Sequence, residues 1–552
     1  MSNIGDVSPA PRDATRARML LAAAIATVVI AGIAAAPPLI DDAFISFRYA
    51  KNLATGRGLV FNMGEWVEGY SNLSWVLVAA GIERLGLPIE TAVRVLGLAC
   101  CAGTIALIWL YTIRRRLPLH AAAAGIMAVA CSALWLRSSL NGLESPLVSL
   151  ITVALLVMAV PTDGWRLGHS VGAGTLLILA MMTRPEGQFL WVAYAMGLGC
   201  QALFPVDSGA GHTRVTWRPL AIAILVFVLG LAAVMFWRYS TYHALVPNTI
   251  VAKLGDESPL SRPLWLYGFG LRYVGHFALA IAPLLLATLG LLFSWHAILA
   301  TLPALALLTF GLLVPIPNGG DWMPEYRLVA PYIPVAGILA AEGIATVVRA
   351  RSPVRWAAAA AVILTTAWTS WASVDPNPAA WGRMTPLFRP QRLWSPDSRS
   401  GFGDLGAALQ QSTLPPDARI ASEVLGEFSY YAMNRHVIDL SGLTDRTIAL
   451  EEPLAFRFGR KTRPSTLQRL APAVLIFNDF SYWEELATHR WFVDRYVPIT
   501  CEHFYRDGLF AFVMSGSPLA SGGPLVAGCD AGVMTMSEAI ADVKRWRAER
   551  RP

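Results

Sequence analysis

Residues 19–48 read MLLAAAIATVVIAGIAAAPPLIDDAFISFR, and the boundary inside that stretch decides how the rest of the chain is read. The run Met19–Ala36 has nearly the length, roughly 20 residues, that a helix needs to cross a bilayer. Pro37 and Pro38 stop it, and two carboxylates, Asp41 and Asp42, follow at its mouth. Beyond them Phe44, Phe47 and Ala50 share one helical face with Arg48 and Lys51 opposite, the pattern of a short amphipathic helix lying in the membrane interface. One carboxylate suffices to cap such a helix. Two in succession point to chemistry, and the doublet is the first candidate for a catalytic site.

Working outward, apolar blocks recur at about 90–112, 119–136, 145–160, 169–183, 187–204, 219–237, 264–293, 297–315, 327–348 and 355–373. With the first run they predict about eleven crossings. The stretch 72–86 carries Glu83 and Arg84 and is too short to span, so it reads as an interfacial helix. Of the 552 residues, 55% are hydrophobic and only 15% are charged, where a soluble domain carries about 25%. The net charge of +7 therefore belongs to arginines at span ends, which set topology and meet lipid phosphates, and not to nucleic-acid binding. The four lysines and the many alanines and arginines suit a high-GC bacterial genome.

Arg12, Arg16 and Arg18 mark residues 1–18 as a cytoplasmic tail, and the first run reads as an uncleaved span. Arg114–Arg116, Arg166, Arg214 with Arg218, and Arg349, Arg351 and Arg355 then fall on the same inner side. Residues 19–374 form the expected transmembrane domain, with 38–89 as its first outer loop. From 375 to 552 proline, serine and charge rise and the long apolar runs end. Ala473–Phe477 and Leu509–Met514 read as buried strands, with helices around 402–411 and 533–549: an extracytoplasmic α/β domain. Cys501 and Cys529 lie there and are a candidate disulfide, whereas Cys100, Cys101, Cys131 and Cys200 sit in apolar runs as packing residues.

On this topology the polar motifs collect on one outer face. They are the loop after Asp41-Asp42, Asn141–Glu144, Arg184-Pro-Glu186, Pro247-Asn-Thr249 with Lys253, Gly319–Trp322, and Glu325-Tyr-Arg327. Charge at span ends is costly unless it pairs or serves a site. The first outer loop is the richest, continuing through Gly56-Arg-Gly58, Val60-Phe-Asn62 and Gly64-Glu65-Trp-Val-Glu68-Gly-Tyr70-Ser-Asn72.

A first span ending in Asp41-Asp42, followed by an amphipathic helix and a glycine-rich polar loop, resembles the GT-C fold of polyprenyl-phosphate-sugar transferases. The run Asp41–Asn72, Arg184-Pro-Glu186-Gly187, Gly319–Arg327 and Val437–Asp445 resemble the bacterial branch that includes the mycobacterial terminal β-(1→2) arabinofuranosyltransferases. The run Gly69-Tyr70-Ser71-Asn72 departs from those enzymes, which leaves the sugar open between arabinofuranose, mannose and others. The resemblance implies a multi-pass protein of the bacterial cytoplasmic membrane with its site on the outer side. Its partners would be a polyprenyl-phosphate sugar donor, membrane lipid and a cell-envelope glycan whose hydroxyl is the acceptor, with transfer of mannose or another sugar to a protein or lipid as the alternative.

Such chemistry needs a base near the attacking hydroxyl and positive charge near the departing phosphate. Asp41 is assigned as base and Asp42 as its partner, with the reverse assignment close behind. Arg184, Lys253, Arg327 and Arg48 are candidate phosphate ligands, since guanidinium forks match phosphate oxygens. For each, the plainer reading is an interfacial charge or a salt bridge, such as Arg184 with Glu186 or Arg327 with Glu325. Glu65, Glu68, Tyr70, Asn248 and the pair Asp321 and Trp322 are candidates for sugar or acceptor contacts. The plainer reading of Asp321-Trp322 is a Gly-Gly turn with an interfacial tryptophan. No P-loop, dinucleotide fingerprint or zinc motif is present. No pattern demands a metal, although Asp41 and Asp42 are carboxylates of the kind that hold Mg²⁺ or Mn²⁺. Two other classes explain many spans: a flippase or transporter, which would place charge at mid-bilayer and repeat its halves, and a non-catalytic envelope-assembly protein.

Overall fold

The computed structural model describes residues 11–160, 166–204, 217–254, 264–321, 323–347, 354–372, 400–451, 462–521 and 525–549. Trp322 and the start of the C-terminal region, 375–399, lie outside the described residues. The chain divides into two compact units. One comprises residues up to Leu39, Glu90–Val234 and Ser261–Leu393. The other comprises Ile40–Ile89, Met235–Leu260 and Trp394–Pro552. This division differs from a cut near residue 375: the first loop and the segment around 235–260 belong with the C-terminal part.

The first unit is helical. Among the described residues of the chain, five helices are long and apolar enough to cross a membrane: Thr15–Ala35, Ile89–Arg114, Trp217–Tyr242, Trp295–Asn318 and Ala330–Val347. Two bent pairs, Leu119–Ala130 with Ala133–Leu140 at 48° and Leu264–Ala280 with Ala282–Phe293 at 80°, raise the number to seven at most. Pro283, in the first turn of Ala282–Thr288, accounts for the sharper bend, because its ring cannot continue the preceding ladder. Every expected apolar block is helical, but the count of eleven crossings is not reached. Ser145–Met158 and Leu167–Thr183 are apolar yet short.

Small residues set the closest packing. A side chain on Gly125 would strike the carbonyl of Gly337, and one on Gly337 would strike Val129. The helices Leu119–Ala130 and Ile333–Val347 therefore meet backbone to backbone, as membrane helices do where only van der Waals packing holds them. The one acid on Ile333–Val347, Glu342, is buried and pairs with Arg115 at 2.6 Å, with the Tyr111 hydroxyl donating at 3.1 Å. Pairing of this kind is what lets a charge persist in such a setting.

The second unit is built on a six-stranded mixed sheet in the order β2-β1-β3-β5-β4-β6. The strands are β1 (Arg419–Ser422), β2 (His436–Asp439), β3 (Val474–Phe477), β4 (Tyr496–Thr500), β5 (Phe510–Met514) and β6 (Asp530–Ala531). β1 runs parallel to both β2 and β3, and β3–β5, β5–β4 and β4–β6 are antiparallel. The run VLIF of β3 is buried at every position, as a central strand covered on both faces requires. Trp483, Phe492, Phe510 and Phe512 fill the core on one face. Helices Gly401–Gln411 and Met536–Glu549 lie where the sequence placed them. Cys501 and Cys529 form a disulfide, with Cα atoms 4.8 Å apart.

The expected interfacial helices are both in this unit: Asp41–Ala54 and Leu73–Arg84. The first is far more buried than an interfacial helix would be. Phe44, Phe47, Tyr49, Arg48 and Asn52 are all inside, so its polar face packs on protein as well as its apolar one.

Candidate active site

Ile40 is extended, and the helix begins at Asp41, placing both carboxylates in its first turn, where the helix dipole favours negative charge. Asp41 turns outward from its own helix. Its Oδ2 accepts from the Gly426 amide and its Oδ1 from the Glu427 amide, both at 2.8 Å. Two successive backbone N–H groups thus grip one carboxylate, a nest geometry. The approach requires glycine: a side chain at Gly426 would overlap the Asp41 carbonyl and carboxyl. Burial pushes the Asp41 carboxyl up to about 6, against the pull of the two amides, and the neighbouring Asp42 adds to the rise. Asp42 is half-buried beside it.

Arg48, two turns on, does not present its charge to a ligand. It is 1% exposed. Its guanidinium donates to the carbonyls of Phe61 at 2.9 Å, Arg435 at 2.8 Å, Ala432 at 3.3 Å and Ser429, and to Asn62 Oδ1 at 3.4 Å. It also lies over the Phe61 ring, 4.6 Å from the centroid. The expected phosphate ligand is instead the pin that fixes the doublet's helix to the segment 429–435. Lys51 adds a cation–π contact with Tyr430, whose hydroxyl donates to Glu83 at 2.5 Å.

The glycine-rich loop is tied down in the same way. Asn62 accepts from the Val437 amide at 3.0 Å and donates to the Val437 carbonyl at 2.8 Å and to Glu65 Oε2 at 2.9 Å. Glu65 Oε1 lies 2.9 Å from His436 Nε2, and that contact holds its carboxyl below the usual range. Tyr70 is buried, its hydroxyl 3.0 Å from that of Tyr242, so it is a core residue and not a sugar contact. Asn248 donates to the carbonyls of Gly442 and Leu443 at 2.8 and 3.0 Å, which shapes the turn after β2. Glu68 is buried; Oε2 pairs with Arg238 at 2.6 Å, while Oε1 meets no hydrogen-bond donor. Lys253 is exposed on the helix Asn248–Leu254.

Asp439 was not singled out, though its motif was. It ends β2 fully buried and accepts from the Ser441 and Thr444 amides at 2.7 and 2.6 Å. Burial pushes it up to about 7. Arg238, Gly426 and Asn62 were missed as site-forming residues too. Their partners lie up to hundreds of positions away, and no local pattern marks them.

In the first unit, Arg184 pairs with Glu186 at 2.5 Å and Glu144 at 3.5 Å, and donates to the Arg327 carbonyl at 3.1 Å. Arg327 pairs with Asp321 at 2.5 Å, not with Glu325. Glu325 is buried with φ 72° and is held by Arg137 at 3.1 Å and Asn141 at 3.2 Å. A non-glycine residue in that region is costly and persists only where its surroundings fix it. Arg184, Arg327, Asp321 and Glu325 thus each have an oppositely charged partner.

Among the described residues no group of three or more His, Cys, Asp or Glu could hold a metal ion. At the doublet, each Asp41 oxygen accepts one amide proton.

Three similarities bear on this arrangement. A family described as a domain of unknown function (DUF8728) matches residues 394–513. The terminal beta-(1->2)-arabinofuranosyltransferase of Mycobacterium tuberculosis is 27% identical over 280 residues, 46% of this chain and 40% of that protein. The chain thus matches well under half of that relative's length. The crystal structure of ArnT from Cupriavidus metallidurans bound to undecaprenyl phosphate superposes with a TM-score of 0.56 over 91% of this chain and 98% of that one, at 12% identity. That likeness speaks for the fold.

Proposed function

We propose that this chain, which has the GT-C fold of membrane glycosyltransferases, is itself a glycosyltransferase that moves one sugar from polyprenyl phosphate to a hydroxyl of a cell-envelope glycan. Arabinofuranose is the favoured sugar, from the partial likeness to the mycobacterial enzyme. The observation that carries the reading is the carboxylate doublet, held at the start of a buried helix directly after the first apolar helix. The outer face is the proposed side, supported by the Cys501–Cys529 disulfide, a bond that persists in oxidising compartments.

The two carboxylates divide the work. Asp41 is held by the 426–427 amides and positions the helix start. Asp42 takes the proton of the acceptor hydroxyl as its oxygen attacks the anomeric carbon. The bond from that carbon to the phosphate oxygen breaks, and polyprenyl phosphate leaves with the electron pair. Lys253, exposed on a helix of the same unit, is assigned to the charge of the departing phosphate. Arg184 and Arg327, each closed on a carboxylate, hold their own segments. No step is routed through a metal.

The test is transfer by the purified chain offered a panel of polyprenyl-phosphate sugars and a glycan acceptor. Asp42→Asn should lower turnover by about 10²–10⁴-fold, the range of a lost general base. Wild-type transfer without change in Asp42→Asn would overturn the assignment. Absence of transfer with every donor, with lipid-linked sugar moved across vesicles instead, would favour a flippase.

A further inference from the structure

Within the second unit the loop 66–68, the segment 242–251 and the helix Arg446–Glu451 enclose a cavity of about 80 Å³. Trp66, Glu68, Tyr242, Asn248, Arg446 and Leu450 are among its lining residues. Space of that size holds several waters, or part of a larger polar ligand.

Its lining is built and not merely left over. Trp66 is 51% exposed yet seated: its indole edge lies where a side chain on Gly58 would be, and Gly58 has φ +93°. The Tyr242 ring sits 6.4 Å from it. The Tyr242 hydroxyl is used elsewhere, donating to the Leu59 carbonyl at 2.9 Å, so this residue offers the cavity an aromatic surface. Asp445 accepts the Ile448 amide at 3.0 Å, which fixes the start of the helix that brings Arg446 to the wall. Glu68 contributes a carboxylate whose Oε2 pairs with Arg238 and whose Oε1 is buried without a donor, a costly state. A hydrocarbon would leave both Glu68 and Arg446 unanswered, whereas a neutral polyhydroxyl ligand can donate to the one and accept from the other. A ligand with one apolar face and several hydroxyl donors answers both constraints.

We propose that this cavity is a carbohydrate subsite, which holds one neutral sugar unit of the acceptor against Trp66 with a hydroxyl on Glu68. The choice of acceptor glycan rests on the glycosyltransferase reading; the sugar chemistry of the cavity does not.

The experiment titrates the full purified chain with neutral arabinofuranosyl and mannosyl oligosaccharides, followed by saturation-transfer NMR, with polyprenyl phosphate as a separate probe. Saturable oligosaccharide binding is expected. It should weaken about tenfold in Trp66→Ala and in Glu68→Gln and return largely in Trp66→Phe, which keeps a stacking face. In the transfer assay the same variants should raise the acceptor KM about tenfold with kcat within about twofold. Trp66 is exposed, so Trp66→Ala reports on the cavity even if Glu68→Gln fails to fold. Equal oligosaccharide affinity in wild type and Trp66→Ala overturns the subsite, as does binding of polyprenyl phosphate alone. Trp66-dependent binding in a chain that transfers no sugar would uphold the subsite and sink the glycosyltransferase reading; transfer indifferent to Trp66 would do the opposite.

Discussion

Replacing Arg48 by methionine should unseat the helix that carries the carboxylate doublet. The side chain is 1% exposed, and three of its acceptors, the carbonyls of Phe61, Ser429 and Arg435, are closely engaged. Hydrogen bonds from a charged donor contribute about 1.5 kcal/mol each at the low end, so three amount to about 4–5 kcal/mol. The stack on Phe61 adds about 1 kcal/mol. Relief from burying a guanidinium, and the apolar packing of methionine, offset about half of that. The net loss is about 3 kcal/mol. For a unit of this size that lowers its melting midpoint by roughly 6–12 °C. Thermal unfolding of the detergent-solubilised chain, followed by tryptophan fluorescence, measures it. Arg48→Lys should recover less than half, because one ammonium cannot span carbonyls that a planar fork reaches together. Unchanged midpoints in both variants would refute the idea that Arg48 pins the doublet's helix to 429–435.

Gly426→Ala should cut transfer by about 100-fold while leaving the sheet folded, because the new methyl displaces Asp41; circular dichroism and turnover separate the two effects. Removing the disulfide with Cys501→Ser and Cys529→Ser, 28 positions apart, should cost about 3–4 kcal/mol, read as a lower denaturant midpoint. Stability should also fall with rising pH. Asp439 and Asp41 are held above the usual carboxyl range, at about 7 and about 6, so the folded state favours their protonated forms. That contribution is complete below about pH 4 and is lost as pH climbs through 6 and 7. Melts at pH 5, 6.5 and 8 should show the decline, and Asp439→Asn should flatten it; a midpoint indifferent to pH would contradict both shifts.

Periodicity and run length made the helices legible, since a bilayer demands long apolar stretches, and short continuous apolar runs marked β3 and β5. Among the described residues fewer helices than the eleven apolar blocks meet the length and hydropathy a crossing needs, because apolar helices such as Ser145–Met158 and Leu167–Thr183 are short. Asp41 and Asp42 stand out locally as a doublet at a span end. What they touch does not, because Gly426 lies 385 positions away and reveals itself only through a close approach. Arg48 misled for a related reason: its charge is visible in the sequence, but the carbonyls that consume it are backbone atoms, which no residue type announces. Arg184 and Arg327 differ from it, since their partners are acids that the sequence shows nearby.

Asn62 has a wider consequence. β2 ends the sheet, and the side chain of Asn62 completes both main-chain groups of Val437 on that strand. A fragment cut to residues 394–552 would leave those groups open, together with the carbonyls that Arg48 serves. Expressed alone it should self-associate through that bare strand, as unpaired edges do. Supplying 40–89 in trans should then act as a solubilising partner, the two pieces behaving as parts of one folding unit whose segments, 235–260 among them, lie far apart in the chain.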